Sequence, residues 1–430
     1  MSEKTAPSEQ RESGTIRTGP KKTEGKRTPQ GPLCAWHGLS VSGLYQFMRL
    51  KPPIHRSRWL KIASFGFTSV YNSVMNRIEA LIYGRRVANT KLNEPPIFIL
   101  GHWRSGTTLL HNLMFSDDHM MSCNLYEILY PDHFLLTESL VTKLTAPFLP
   151  KTRPMDNMPL NWTLPQEDET ALLLSTPLLS PYLLLTHYAT PEVFERFYDF
   201  KTASPEERAR WKATFLHFLK KLSYRYPNRR ALLKSPTHTY RIPLLLEMFP
   251  DAKFIFISRD PYAVFQSSLH LRRTLFDENG LAPFREDGLE ELTLDVFKKC
   301  LDAYERDRHL IDPSRICEVR YEEFAVDPLG ELKKIYESLD LPDFDKLEAK
   351  LRPTMTEVRE YKKNEFRYSD EVKRRVYEAL KPFFKRFGYE SGFADEDDCE
   401  SDAIPMNQAA STEEKKLGAD AHTSVKRFTA

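Results

Sequence analysis

The chain has 430 residues, 41% of them hydrophobic and 28% charged, with a formal net charge of +2. That is globular composition with ample length for a core, and it leaves no whole-protein field for nucleic acid, so any anion site must be built locally. The five cysteines (Cys34, Cys123, Cys300, Cys317, Cys399) are widely spaced without a CxxC pair, and no HExxH pattern occurs. Neither a disulfide framework nor a metal site is expected, and the compartment reads as reducing and cytoplasmic.

Residues 1–32 are polar, without the apolar run of a secretory signal, and read as a disordered tail. Residues 33–393 read as one domain, opened by a helical segment over 33–94. Within it, "RWLKIASFGFTSVYNSVMNRIEALIYGRR" places apolar residues at three- and four-residue steps. We read this helix as packed on the core; a membrane-surface or partner helix is the other reading.

The centre alternates strand and helix. "IFIL" (97–100), "RALLKS" (230–235), "KFIFIS" (253–258) and "RICEVR" (315–320) are strands, each followed by a helical pattern. Asp260 is expected to cap the third of these helices, with Pro261 in its first turn. The alternation predicts an α/β fold, a parallel sheet flanked by helices with ligands at the carboxyl ends of its strands. Residues 125–229 interrupt it, and this helical insertion is placed over the sheet as an acceptor cap. Its uncharged run Thr170–Pro191 is broken by Pro177 and Pro181. It reads as buried core rather than a membrane span, with a lining for an apolar acceptor as the second reading. "PQEDE" (165–169) reads as a solvated charged face, or alternatively as a partner for acceptor hydroxyls. Gly388 is expected to stop the last helix, "KPFFKRFGYE" (381–390), and residues 394–430 to form a second disordered tail.

Two motifs carry chemistry. "IFILGHWRSGTTLL" is a P-loop-like strand–loop–helix with Gly101 and Gly106 at Walker spacing, but Thr107 stands where a Walker lysine would be. Backbone N–H groups at such a turn, the helix N-terminus and hydroxyls from Ser105, Thr107 and Thr108 can cradle an anion. Without the lysine the loop is poorly built for a nucleoside triphosphate, which argues against a P-loop kinase. Arg104 is the nearest cation. In "FISRDPYAVFQSS", Arg259 follows a strand and Ser267 comes eight residues later, about two turns into the next helix. The pair can bind a phosphate dianion.

Together these motifs resemble the PAPS-dependent sulfotransferases (PAPS, 3′-phosphoadenosine-5′-phosphosulfate). In that family the first strand–loop–helix holds the 5′-phosphosulfate, here Arg104 to Thr108. An Arg and a Ser eight residues apart hold the 3′-phosphate, here Arg259 and Ser267. "LLKSP" (232–236) matches the strand-end lysine near the transferring sulfate, and "VRYEEF" (319–324) the segment whose tyrosine, here Tyr321, lies near the adenine. The closing helix is similar to those of the tyrosylprotein and carbohydrate branches. The small-molecule branch carries a His two residues after its lysine; Pro236 stands there, with His238 two further on, and the RKG segment of that branch is missing. The chain therefore looks closer to bacterial relatives of the tyrosylprotein and glycan branches. "YKKNE" (361–365) offers Lys362 or Lys363 as a further contact to the donor.

The resemblance implies in-line transfer of a sulfuryl group from PAPS to a hydroxyl on a glycan, lipid or other metabolite, with no metal. A peripheral membrane contact is compatible with this; an integral span is not expected. Lys234 and Arg104 are the expected cations, and the acceptor calls for a general base. Glu127 is the first candidate, twenty-two residues past Ser105, near the distance at which the tyrosylprotein branch places its glutamate. His238, Glu167, Asp168 and Glu169 are its rivals.

Overall fold

Four consecutive apolar residues, Ile97–Leu100, form strand β1 and all are buried, as a strand covered on both faces requires. The computed structural model describes residues 34–149, 152, 160–183, 195–283, 286–355 and 369–393. Strands β2 (Met120–Met121), β3 (Arg230–Lys234), β4 (Lys253–Ser258) and β5 (Ile316–Arg320) complete a five-stranded sheet in the order β2-β3-β1-β4-β5. Every pairing is parallel, with Ile97 opposite Leu232 on one side and Lys253 on the other. Four strands match the expected runs; β2, two residues long, carries no periodicity to read. Side chains alternate across β1: Phe98 and Leu100 enter the larger apolar cluster, Ile97 and Ile99 the smaller cluster on the opposite face.

Helices α1 (Val41–Arg49) and α2 (Trp59–Asn89) precede the sheet, and α3 (Thr107–Phe115) follows β1. Between β2 and β3 lie α4 (Leu125–Leu129), α5 (Phe134–Thr145), α6 (Glu169–Ser175) and a long helix, Pro205–Arg225. Asp260 accepts from the Tyr262 N–H and caps the Pro261–Asn279 helix. Gly388 ends the Asp370–Phe387 helix in the left-handed conformation, φ 64°. Both were expected. The tails 1–32 and 394–430, the "YKKNE" segment with Lys362 and Lys363, and residues 184–191 lie outside the described residues.

The expectation that α2 packs on the core holds for one side only. Its buried positions are Phe65, Ser69, Asn72, Glu79 and Val87, most of them polar, while Leu60, Phe67 and Leu81 are 80–87% exposed. No helix among the described residues is long and apolar enough to cross a membrane.

The order of the strands positions the site. The chain leaves β1 in the middle of the sheet, goes to β3 on one side and to β4 and β5 on the other. The crevice for a ligand opens at that switch point, beyond the strand ends. The loop after β1 is therefore flanked by the end of β3, which carries Lys234, and the end of β4, which leads to Arg259.

Candidate active site

The loop after β1 takes three residues into positive φ: Gly101 (137°), Arg104 (72°) and Gly106 (101°). At Gly106 the glycine is required twice. Its φ disfavours a side chain, and a Cβ there would collide with the ring of Tyr321. Gly106 is the N-cap of α3, so the first N–H groups of that helix, with no intrahelical partner, open toward the crevice beside a positive dipole end. The Ser105 hydroxyl turns back to the His102 carbonyl at 2.8 Å and is buried; it holds the loop's shape. The Thr107 side chain is buried, and Thr107 and Thr108 line the crevice.

The second motif touches the first directly. Arg259 donates from Nη1 to the Arg104 carbonyl at 2.9 Å and lies over the Tyr321 ring, 4.5 Å from its centroid. Arg104 donates from Nε to the Ser267 hydroxyl at 2.7 Å. Arg104, Gly106, Arg259, Ser267 and Tyr321, read from three separate segments, thus form one continuous wall. Glu322 supports it by accepting from the Asp260 N–H at 2.9 Å and from the Tyr389 hydroxyl at 3.1 Å.

On the other side of the loop, Lys234 is buried at the end of β3. Its Nζ lies 2.7 Å from Glu167 Oε1 and 3.5 Å from the Thr108 hydroxyl. The Tyr182 hydroxyl donates to the other oxygen of Glu167. Burial, with the Glu167 charge beside it, pushes the Tyr182 phenol well above its usual range, so it stays protonated and donates. Glu167 keeps about a quarter of its side chain exposed and lines a cavity of about 220 Å³. One end of that cavity carries Arg104, Thr107, Thr108, Gln166 and Glu167. The rest of its wall is largely apolar: Leu125, Ile128 and Leu129 of α4, Leu173 of α6, and Leu271 and Leu275 of the Pro261–Asn279 helix.

A mainly apolar cavity meeting an anion loop, with a lysine and a carboxylate at the junction, is built for group transfer to an apolar acceptor. Residues 95–346 match the sulfotransferase family. The chain belongs to that family. It is 38% identical over 356 residues to the omega-hydroxy-beta-dihydromenaquinone-9 sulfotransferase Stf3 of Mycobacterium bovis and of Mycobacterium tuberculosis, covering 83% of this chain and 91% of theirs. The fold is similar to the crystal structure of sulfotransferase STF9 from Mycobacterium avium, with TM-score 0.61, 19% identity, and 84% of this chain and 93% of that chain covered. It is also similar to sulfotransferase STF1 from Mycobacterium tuberculosis, with TM-score 0.55, 17% identity, and coverage of 78% and 90%.

The remaining candidates of this sulfotransferase sit elsewhere. Glu127 is fully buried in a capping box. It accepts from the Asn124 N–H (2.8 Å) and the Tyr226 hydroxyl (2.9 Å), and it does not line the cavity. Burial, with Glu138 nearby, pushes its carboxyl up to about 8. The structure thus places Glu127 at the start of α4, with both carboxylate oxygens bonded. His238 donates from Nε2 to the Asp168 carboxylate at 2.8 Å, and both are fully buried. Glu169, fully buried, takes Arg241 in a two-pronged pair at 2.5 and 3.3 Å and accepts from Ser180 and Thr237. The "PQEDE" run is therefore no solvated face. Tyr182 was not singled out from the sequence. The signal was there: a phenol inside an uncharged run needs a polar partner once buried.

Proposed function

We propose that this sulfotransferase takes PAPS as donor and sulfates a hydroxyl on a long apolar acceptor, with Glu167 as general base. The observation that carries the reading is the place of Glu167. Of the candidate bases it alone lines the cavity, and it does so where the apolar wall meets the anion loop. The acceptor oxygen bonds to sulfur as the bond from sulfur to the bridging phosphate oxygen breaks. The acceptor's proton passes to the Glu167 carboxylate, and adenosine 3′,5′-bisphosphate leaves. Lys234, between Glu167 and Thr108, faces the position where charge grows on the leaving oxygen.

Donor recognition is assigned along the strand ends. Arg104 through Thr108 hold the 5′-phosphosulfate, Arg259 and Ser267 the 3′-phosphate, and Tyr321, under the Arg259 guanidinium, lies toward the adenine. Residues 125–229 act as the acceptor cap, since α4 and α6 supply much of the cavity wall. A lipid acceptor is favoured over a glycan because Asp168 and Glu169 are committed to His238 and Arg241. Few polar groups then remain to meet a sugar's hydroxyls. The relatives named for a hydroxylated menaquinone agree with that choice.

The test offers labelled PAPS with an omega-hydroxylated isoprenoid quinone, the same quinone without the hydroxyl, and a panel of monosaccharides. Label is expected in the hydroxylated lipid only. Transfer to sugars with none to the lipid would overturn the acceptor assignment.

A further inference from the structure

Helix α2 is inside out. Leu60, Phe67, Val74 and Leu81 recur every seven residues, which keeps them on one slowly drifting stripe of the helix. They are exposed by 87, 80, 45 and 87%. Phe65, Asn72 and Glu79 recur at the same interval, five residues or about 140° around the helix from them, and these are buried. The buried side is held by polar bonds. Asn72 donates to the carbonyls of His37 (2.7 Å) and Leu39 (3.0 Å), and Glu79 pairs with Lys221. A helix turned this way has its polar needs met inside and its apolar carbons in water. Val70 and Ile82 widen the stripe, which from Leu60 to Ile82 is about 33 Å long at 1.5 Å per residue. Exposed apolar surface on that scale marks an interaction site.

Charge points to the partner. Residues 34–93 hold nine lysines and arginines and a single acid, Glu79, in a chain whose overall charge is +2. That acid is buried against Lys221, so the exposed charge of this region is entirely basic. By helical position Arg77 and Arg86 flank the stripe, and Arg85 lies at its carboxyl end. An apolar stripe framed by basic side chains fits the headgroup layer of an anionic bilayer. Two copies meeting through the same face would bring their positive charges together.

The stripe also starts beside the cavity. Lys61 donates from Nζ to the Glu278 carbonyl at 2.8 Å, one residue before Asn279, which lines the cavity with Leu271 and Leu275. Asn279 in turn accepts at its carbonyl from Trp36 Nε1 at 2.8 Å, and at its side chain from the Ala35 N–H at 3.1 Å.

We infer that α2 lies in the interface of an anionic membrane, apolar stripe inward and arginines at the headgroups, with the apolar end of the cavity close to the lipid. Docking needs neither donor nor acceptor, so vesicle binding can stand or fall apart from the sulfuryl-transfer reading. The full chain is mixed with vesicles of phosphatidylcholine alone or of phosphatidylcholine with phosphatidylglycerol, whose negative surface attracts basic segments, and sedimented. Binding to the anionic vesicles is expected, weakened by salt and at least tenfold weaker with Phe67→Glu plus Leu81→Glu. Arg77→Gln, Arg85→Gln and Arg86→Gln together are expected to reduce binding and its salt dependence. All the substituted side chains are exposed, and an unchanged melting temperature confirms that the variants fold. Equal binding by the double-Glu variant overturns the inference. So does a wild-type chain that ignores anionic vesicles, whether it sediments alone as a monomer or as a dimer that the double-Glu change dissociates.

Discussion

Three consecutive acids, Glu167, Asp168 and Glu169, have three different fates. Asp168 is tied to His238 and Ser235, Glu169 to Arg241, and only Glu167 meets the cavity. Strand-like alternation does not explain this; Glu169 begins α6, and the turn before it splays the three side chains. The sequence ranks Glu127 first because distance from the phosphate loop is a chain measure, blind to the second segment that returns to the site. A local signal for its structural role is present in the sequence, since Asn124-x-x-Glu127 is a capping-box pattern. The role has a consequence for pH. The Glu127 carboxyl is raised in the folded state, to about 8, by burial and by Glu138. Between the unfolded value and that one, the native state holds the extra proton, so stability falls as pH rises. Buried histidines held below their usual range, such as His102 and His111, push the other way at the acid end, so the effect is read as a difference: from about pH 5 to 8 the wild-type melting temperature is expected to decline relative to that of Glu127→Gln, which cannot ionise. Wild-type and variant curves of the same slope would remove Glu127 as its cause. At the donor, Arg259→Ala is expected to weaken adenosine 3′,5′-bisphosphate by about 1.5–3 kcal/mol, the worth of one charge-assisted bond. Adenosine 5′-phosphate should be little affected; equal losses in a calorimetric titration would take Arg259 away from the 3′-phosphate.

At the scale of elements, the strand runs and the phosphate loop were legible because each is written in adjacent residues: apolar runs, a glycine pair, an Arg and a Ser eight apart. What the sequence withheld was which side of a helix faces inward. The periodicity of α2 shows a stripe but not its direction, and only the bonds of Asn72 and Glu79 fix it. The short β2 was invisible for lack of length. The loop and the Tyr321–Val326 helix that follows β5 depend on each other through Gly106, whose missing Cβ admits the Tyr321 ring. Gly106→Ala is expected to displace that ring and the loop together and to abolish donor binding while the protein still folds. Retained affinity in the same titration would show that the loop tolerates the displacement. Beneath the cavity, the Arg241–Glu169 pair joins α6 to the segment after β3. Arg241→Met leaves a buried carboxylate without its cation, and unfolding in denaturant is expected to show a loss of about 3–5 kcal/mol.

Over the whole molecule, a central β1 with β3 on one side and β4 and β5 on the other sets Lys234, the loop, Arg259 and Tyr321 in a row. The helices between β2 and β3, with the carboxyl half of the Pro261–Asn279 helix, close an apolar cavity against one end of that row. Glu167 stands where the two meet, within reach of donor and acceptor alike. The most direct measurement is single-turnover transfer from labelled PAPS to the omega-hydroxylated lipid by wild type and by Glu167→Gln, with bisphosphate affinity measured in parallel. With Glu167 as the base, the variant's rate is expected to be about 10²–10⁴-fold lower, the usual worth of a general base, with bisphosphate affinity nearly unchanged. Transfer at the wild-type rate by Glu167→Gln would contradict it.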